Sequence, residues 1–535
     1  MLIQRSHNND FTYDEDAVYQ NADVDHENNG KLCDKATSIL FNGPNDADKT
    51  TAETWADKRG NVLEVKVNGV TQMTNTYNED DSLATSVDEI TGSQTNCEYN
   101  PSTKRTLRAE KTAGTDVAAI AEDYVYNEYG QVQERSVTGA VDQSYSYVYK
   151  DNVEKELDYV ALPNGLRSKV ETDVNGRAKE LLLQDANGEN RFGTYLYYRK
   201  HGNRTTNMVS SVRYGGVKNG KYAIGEGQKY KYNAAGNISE VFESGILVIR
   251  YTYDSLSRLI REDNRNVGTF LFNYDNNGNI LTRIETKFTT KPTDEITDFT
   301  KIVSYEYDGT QGDRLISLNG AGISYDQIGN PTNYLGTTLI WEKGRQLKRF
   351  GSTNFTYDGS GKRIKKNSTV FTYAPNGDLV KLSDGTNPNT LEFIYDGSGV
   401  AGFKRNNTNY IYRKNISGDV THILDISGNV VVEYTYDACG RHATRAQNNS
   451  GSLVASVTGT DTTFTNNMAL ANANPFRYRG YYYDTETQLY FLKTRYYDPA
   501  VGRFINADAV SYLDPETING LNLYAYCGNN PVMYL

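Results

Sequence analysis

The residues of this sequence best equipped for chemistry are carboxylates, and they recur in one setting, directly after a tyrosine. Asp254, Asp275, Asp358, Asp396 and Asp437 each end an aromatic-x-Tyr-Asp phrase and open a short polar break, usually with glycine, as at Gly278 and Gly361. Oxygen-rich turns of this kind can hold calcium, but neither an EF-hand loop nor a nonapeptide calcium repeat occurs. Asp and Asn also tie a turn to its own backbone, which is the first reading of these positions. Other reactive types are dispersed. His7, His26, His201, His422 and His442 form no H-E-x-x-H, and Cys33, Cys97, Cys439 and Cys527 form no C-x-x-C. No nucleophile motif or phosphate loop is present, so neither a metal nor a cofactor is expected. The cysteines leave one or two disulfides open, without fixing a pairing.

The elements that carry these aspartates repeat. The phrase reads YTYDSLSRLIRE from Tyr251, FNYDNNGNILTR from Phe272, FTYDGSGKRIKK from Phe355, FIYDGSGVAGF from Phe393 and EYTYDACGR from Glu433, ending in Tyr436-Asp437. Eroded copies start at Tyr230, Ile323 and Phe371. Tyr232, Tyr253 and Tyr274 lie 21 apart, Tyr357 and Tyr373 lie 16 apart, and Tyr395 continues the series. Such self-similarity marks a repeat architecture. In a strand, Tyr251 and Tyr253 share a face while Thr252 points away. Asp and Gly then make the turn, and an aliphatic residue such as Ile280, Ile364 or Leu379 begins the return strand. One repeat is therefore a β-hairpin. Hairpins are marginal alone, so these must pair into one long sheet, which twists and tends to curl or close.

Composition agrees. Tyrosine is 43 of 535 residues against 17 Phe and 2 Trp, which keeps a hydroxyl on most of the rings and suits a semi-polar interior. Net charge of −11 disfavours nucleic acid as a partner. Basic stretches such as Lys362-Arg363 with Lys365-Lys366 read as solvated hairpin faces. No segment has the length of a membrane-spanning helix, and MLIQRSHNNDF lacks a signal-peptide apolar region, so the chain is expected to be an internal piece of something longer. Four regions follow: degenerate repeats over 1–225, clear repeats over 226–445, a polar connecting loop over 446–474, and a distinct segment over 475–535.

That last segment resembles the core region of RHS/YD-repeat proteins, through FRYRGYYYD from Phe476, LYFLKTRYYDPAVGRF from Leu489 and LNLYAYCGNNPV from Leu521. The array before it resembles the family's YD repeats. The family spans bacterial polymorphic toxins, the C components of insecticidal toxin complexes, and the YD-shell of teneurins. The resemblance implies an all-β fold in which a spiralling sheet closes into a hollow shell, with the core turned inward as a plug. It implies a secreted or cell-surface bacterial protein that encapsulates a C-terminal toxin domain carried by a full-length parent, with a delivery apparatus as a further partner.

In bacterial members the core also acts as an aspartic self-protease, and Arg503 and Asp508 match the R-F-x-x-x-D phrase that supplies part of it. Two close carboxylates can share a proton and divide the work of base and acid. The partner phrase D-P-x-G does not occur before Leu535, so self-cleavage is expected only of a longer parent. Arg503 and Asp508 are then expected to serve structure, and Asp498-Pro499 and Asp514-Pro515 to start turns. The leading expectation is a monomeric, non-enzymatic shell. The alternatives are a surface adhesin that binds glycans through exposed tyrosines, and an active self-processing protease.

Overall fold

The structure is a computed structural model that describes residues 15–20, 26–28, 31–41, 49–201, 204–218, 220–310, 312–385, 390–448, 452–455, 466–508 and 522–534. Cys33's side chain, His7 and the Asp514-Pro515 turn lie outside the described set.

Each Tyr-Asp phrase forms a hairpin. In the strand Ile246–Tyr253, Thr252 is exposed while Tyr251 and Tyr253 are partly buried. The Asp275 carboxylate accepts the backbone N–H groups of Asn277 (2.9 Å) and Asn279 (2.8 Å), and its second oxygen accepts the Asn279 amide (2.8 Å). Asp254 and Asp358 repeat the pattern with Leu256 and Arg258, and with Ser360 and Lys362. Gly278 and Gly361 supply the left-handed residue of their turns, at φ 78° and 82°.

The tyrosine itself joins one repeat to the next. Tyr253 donates its hydroxyl to the Ile238 carbonyl, Tyr274 to Leu259 and Tyr436 to Val420, each at 2.7 Å. Tyr232, Tyr357, Tyr373 and Tyr395 do the same with Val209, Leu347, Arg363 and Leu379. The accepting residue usually opens the return strand of the preceding hairpin. Trp341 takes the place of a tyrosine at one step, its indole N–H donating to Pro331 at 2.7 Å. A register shift falls at Tyr232, Tyr253, Tyr274, Tyr357, Tyr373 and Tyr395. Each is a β-bulge on the same side of the strip, and a bulge bends its strand and increases the twist. Repeated on one edge, it curls the whole sheet.

The result is a 40-stranded antiparallel sheet in which neighbours in sequence pair, from Lys31–Phe41 to Leu453–Ala455. The strip winds back over itself. Gln72 in the sixth strand accepts from Lys343 beside the twenty-eighth, and Glu262 in the twenty-first meets Ala438 beside the thirty-eighth. Across this seam the sequence separation falls from 271 to 176 residues, so later turns use fewer residues.

The expected closed, hollow shell is not found. Among the described residues the last strand pairs with His442–Gln447 alone, and the first two, Glu15–Gln20 and His26–Asn28, pair with Lys31–Phe41 alone. Closure of a sheet requires its end strands to hydrogen-bond to each other. Here successive turns instead meet through side chains and overlap. Ile394 packs under Tyr145, Val160 and Leu162 of the earlier turn, while its neighbour Phe393 faces the other way, onto Leu470 and Tyr482. Strands over 363–432 are therefore covered on both faces. The strand Thr353–Tyr357, by contrast, alternates buried and exposed residues.

Two further expectations change. Residues 446–474, read as a polar loop, hold the short strand Leu453–Ala455 and the helix Asn466–Ala473. Leu470 and Ala471 bury in the apolar cluster that holds Phe393, Phe403 and Tyr434, a footprint too small to leave a helical pattern. Arg363 and Lys366 are no solvated face: they are 0% and 6% exposed.

Removing one tyrosine hydroxyl orphans a carbonyl between strands. Tyr274→Phe is expected to lower stability by about 1 kcal/mol, read as the urea midpoint at constant slope. Tyr129→Phe, at an exposed ring, should stay within about 0.5 kcal/mol. Equal shifts for the two would show that the hydroxyl bond contributes nothing.

Candidate functional site

The described residues of the C-terminal core, 475–508 and 522–534, lie on the inner face of the wound sheet. A four-stranded antiparallel sheet forms its centre, Tyr482–Asp484, Leu489–Leu492, Arg495–Asp498 and Arg503–Phe504. The wall reaches it through more tyrosines. Tyr305 donates to the Val501 carbonyl (2.9 Å), Tyr334 to the Asp498 carboxylate (2.9 Å), and the Tyr357 and Tyr496 hydroxyls meet at 2.8 Å. In return, Tyr478, Tyr497 and Tyr490 donate to the carbonyls of Ala438, Cys439 and Gly440 in one Tyr-Asp turn. Gly440 admits this approach: a Cβ there would stand 2.6 Å from the Tyr478 ring.

The tightest joint is ionic. Arg363, following the Asp358 turn, places its guanidinium on the Asp484 carboxylate at 2.7 and 3.3 Å, both side chains wholly buried. Rings of Phe355, Phe371, Tyr482 and Phe491 surround the cation within 5.2 Å. Lys366 adds contacts to Asp484 (3.1 Å) and Glu486 (2.7 Å). Removing one member of such a pair typically costs about 3–5 kcal/mol, because the other is left charged and buried. The cluster was legible only as an unusual density of cations in GKRIKK; its partners lie some 120 residues away.

Arg503 is 2% exposed. Its guanidinium donates to the Asn279 side chain (3.2 Å), the Tyr307 hydroxyl (3.2 Å), the Asp313 carbonyl (2.8 Å) and the Asn522 side chain (3.1 Å). The charge is thus solvated by neutral oxygens from two wall turns, and Arg503 makes no ion pair among the described residues. Asp508 points elsewhere. Its carboxylate pairs with Arg495 at 2.9 Å and its backbone N–H donates to Leu523. Among the described residues the contacts of Arg503 and those of Asp508 lead to different partners. Asp498 heads the turn before Arg503, accepting Ala500 N–H at 2.7 Å, and burial pushes its carboxyl above the usual range.

The repeat aspartates Asp254, Asp275, Asp358 and Asp437 are held by their own turns, as is Asp396 by the Ser398 N–H at 2.8 Å. No group of three metal-ligating side chains gathers among the described residues. Cys97, Cys439 and Cys527 are free thiols, and burial pushes the Cys439 thiol far up, which leaves it inert.

The most perturbed carboxyl is one the sequence did not single out. Three carboxylates of the earlier turn accept backbone N–H groups from Tyr-Asp-type turns of the later one: Asp88 from Gly359 (3.0 Å), Glu122 from Asn376 (2.9 Å) and Glu262 from Ala438 (2.8 Å). Glu262 is pushed up to about 8, first by burial and then by Asp437, against the pull of the Ala438 N–H, the Asn264 amide and Arg441. With the folded value above the unfolded one, its contribution is fully present below about pH 4.3. It is lost as pH rises toward 8, because the unfolded state gives up the proton first. Stability should therefore fall across pH 5–8, by at most about 1.4 kcal/mol per unit. Glu262→Gln should flatten that slope in denaturant titrations, and an unchanged slope would refute the assignment.

With this geometry in place, comparison with known proteins is direct. Residues 260–450 match the family described as Teneurin YD-shell. The tRNA3(Ser)-specific nuclease WapA of Bacillus spizizenii is 30% identical over 296 residues, 52% of this chain and 11% of that protein. Double-stranded DNA deaminase toxin A of Burkholderia cenocepacia is 26% identical over 344 residues, 57% of this chain and 22% of that protein. The chain thus matches only about a tenth to a fifth of these relatives' lengths. The crystal structure of TcdB2-TccC3 without its hypervariable C-terminal region superposes with a TM-score of 0.50 at 15% identity, covering 97% of this chain and 32% of that one. That likeness extends the fold correspondence beyond the matched repeats. The chain carries an RHS/YD-repeat-like β-sheet domain, related to the teneurin YD-shell and associated with polymorphic toxins.

Proposed function

We propose that this chain is the wrapping wall of a bacterial polymorphic toxin, a structural part that surrounds and shields a toxic domain carried elsewhere in a longer protein. The observation that carries this reading is that one kind of wall recurs in relatives named for unlike reactions. One is named a tRNA nuclease and another a DNA deaminase toxin, and each matches about half of this chain. What they share with it is the scaffold. The repeat tyrosines support a wall over a glycan-binding array, because they are engaged between strands rather than displayed. An extracellular or surface-associated setting goes with this role. Arg503 acts in this chain as a structural tie between core and wall and Asp508 as one within the core, and the chain is proposed to be non-enzymatic.

Fusing a reporter nuclease after Leu535 tests the wrapping role. The fused domain should resist protease and stay silent until the fold is loosened by denaturant. Cleavage at the rate of the free nuclease would overturn the proposal. On the same preparation, intact mass should be unchanged over time and identical in proportion for an Asp508→Ala variant; time-dependent fragments lost in that variant would establish self-cleavage instead.

A further inference from the structure

The overlap between turns is not packed throughout. Where residues 168–216 of the earlier turn lie against 396–428 of the later one, a cavity of about 430 Å³ remains. Well-packed interiors hold few voids larger than a water molecule, whereas small-molecule sites run from about 300 to 1,000 Å³ with apolar walls and a few placed polar groups. Leu183, Leu196, Val212, Ile411 and Leu424 give this cavity its apolar wall.

Its polar groups are unbalanced. Arg413 and Lys414 both line it, each mostly buried. Arg413 stacks over the Tyr214 ring at 5.3 Å and has neither an ion pair nor a side-chain hydrogen bond among the described residues. Among the described residues the Lys414 ammonium donates only to the Ser398 carbonyl, at 3.3 Å. The one carboxylate in the wall, Asp396, is engaged by Ser398 (2.8 and 2.6 Å) and Ser168 (3.3 Å). Two cations therefore share a chamber with one carboxylate, Asp396, whose charge acts on Lys414, while among the described residues Arg413 has only Glu433, beyond ion-pair distance, to offset it. Burial holds both below their ordinary values. The Arg413 charge also reaches its cross-strand neighbour His422, which burial and Arg413 together hold down to about 3. A buried, unpaired guanidinium is costly unless something pairs with it.

We propose that this cavity binds a small amphipathic carboxylate, with its acid group on Arg413 and Lys414 and its hydrocarbon body against the Leu, Val and Ile wall. Arg413 supplies the planar fork that carboxylates accept. The site joins two turns of the strip, so an occupant clips the overlap together. This inference does not depend on the wrapping role.

Decanoate is the probe and decanol its uncharged counterpart, both titrated below micelle formation with the whole chain. Decanoate should bind once per chain, raise Tm, and bind at least tenfold more tightly than decanol. Arg413→Gln should abolish that preference while raising the Tm of the unliganded protein, because a buried unpaired charge is removed. A purely structural Arg413 would instead lower the unliganded Tm when replaced. Absence of saturable decanoate binding, equal binding of decanol, or unaltered binding by Arg413→Gln would each overturn the proposal.

Discussion

Everything in this fold rests on a tyrosine hydroxyl reaching one strand across to a backbone carbonyl. Phenylalanine would fill the same space but leave that carbonyl without the bond, which explains why tyrosine so outnumbers it. The bond is worth little singly, about 0.5–1.5 kcal/mol. It recurs along the strip, however, and at Tyr232, Tyr253, Tyr274, Tyr357, Tyr373 and Tyr395 it sits beside a bulge, so it helps hold the bend in position. Because each hydroxyl ties its hairpin to the one before it, stability accumulates between nearest neighbours, as in other repeat proteins. Trp341 shows that what is selected is a ring with a donor, not tyrosine as such.

That local rule was legible in the sequence, and the global one was not. Asp275, Gly278 and the return strand from Ile280 follow from turn chemistry within a dozen residues. How the strip meets itself depends on partners such as Gln143 and Phe393, 250 residues apart and in unrelated phrases. A trace existed: FIYD at Phe393 has adjacent apolar residues where FTYD at Phe355 alternates. Two-sided burial produces such runs, but over so short a strand the pattern is ambiguous. Arg363 and Lys366 were misread for the same reason, since the carboxylates that bury them belong to the core.

The candidate site shows the same division. Arg503 could be located from its phrase, yet its role is written in Asn279, Tyr307 and Asp313, which belong to the wall. An arginine held by neutral oxygens keeps its charge without neutralising a carboxylate. It thereby fixes the orientation of two successive wall turns toward the core. Asp498 plays the matching part as an acceptor, taking one wall tyrosine and two N–H groups of its own turn.

Overlap, rather than closure, also explains how the strip tolerates irregular repeats. A closed barrel fixes strand number and shear together, so one inserted strand disturbs every hydrogen bond around the ring. A seam made of side chains imposes no such count. Asp88, Glu122 and Glu262 each find a backbone N–H a turn later, although the separations are 271, 254 and 176 residues. Spacings of 21 and of 16 can therefore coexist in one wall, and the loop between Thr286 and Phe299 can be inserted without cost to the register of later strands. The same looseness leaves room within the seam, where burial, charge and cavity volume come together.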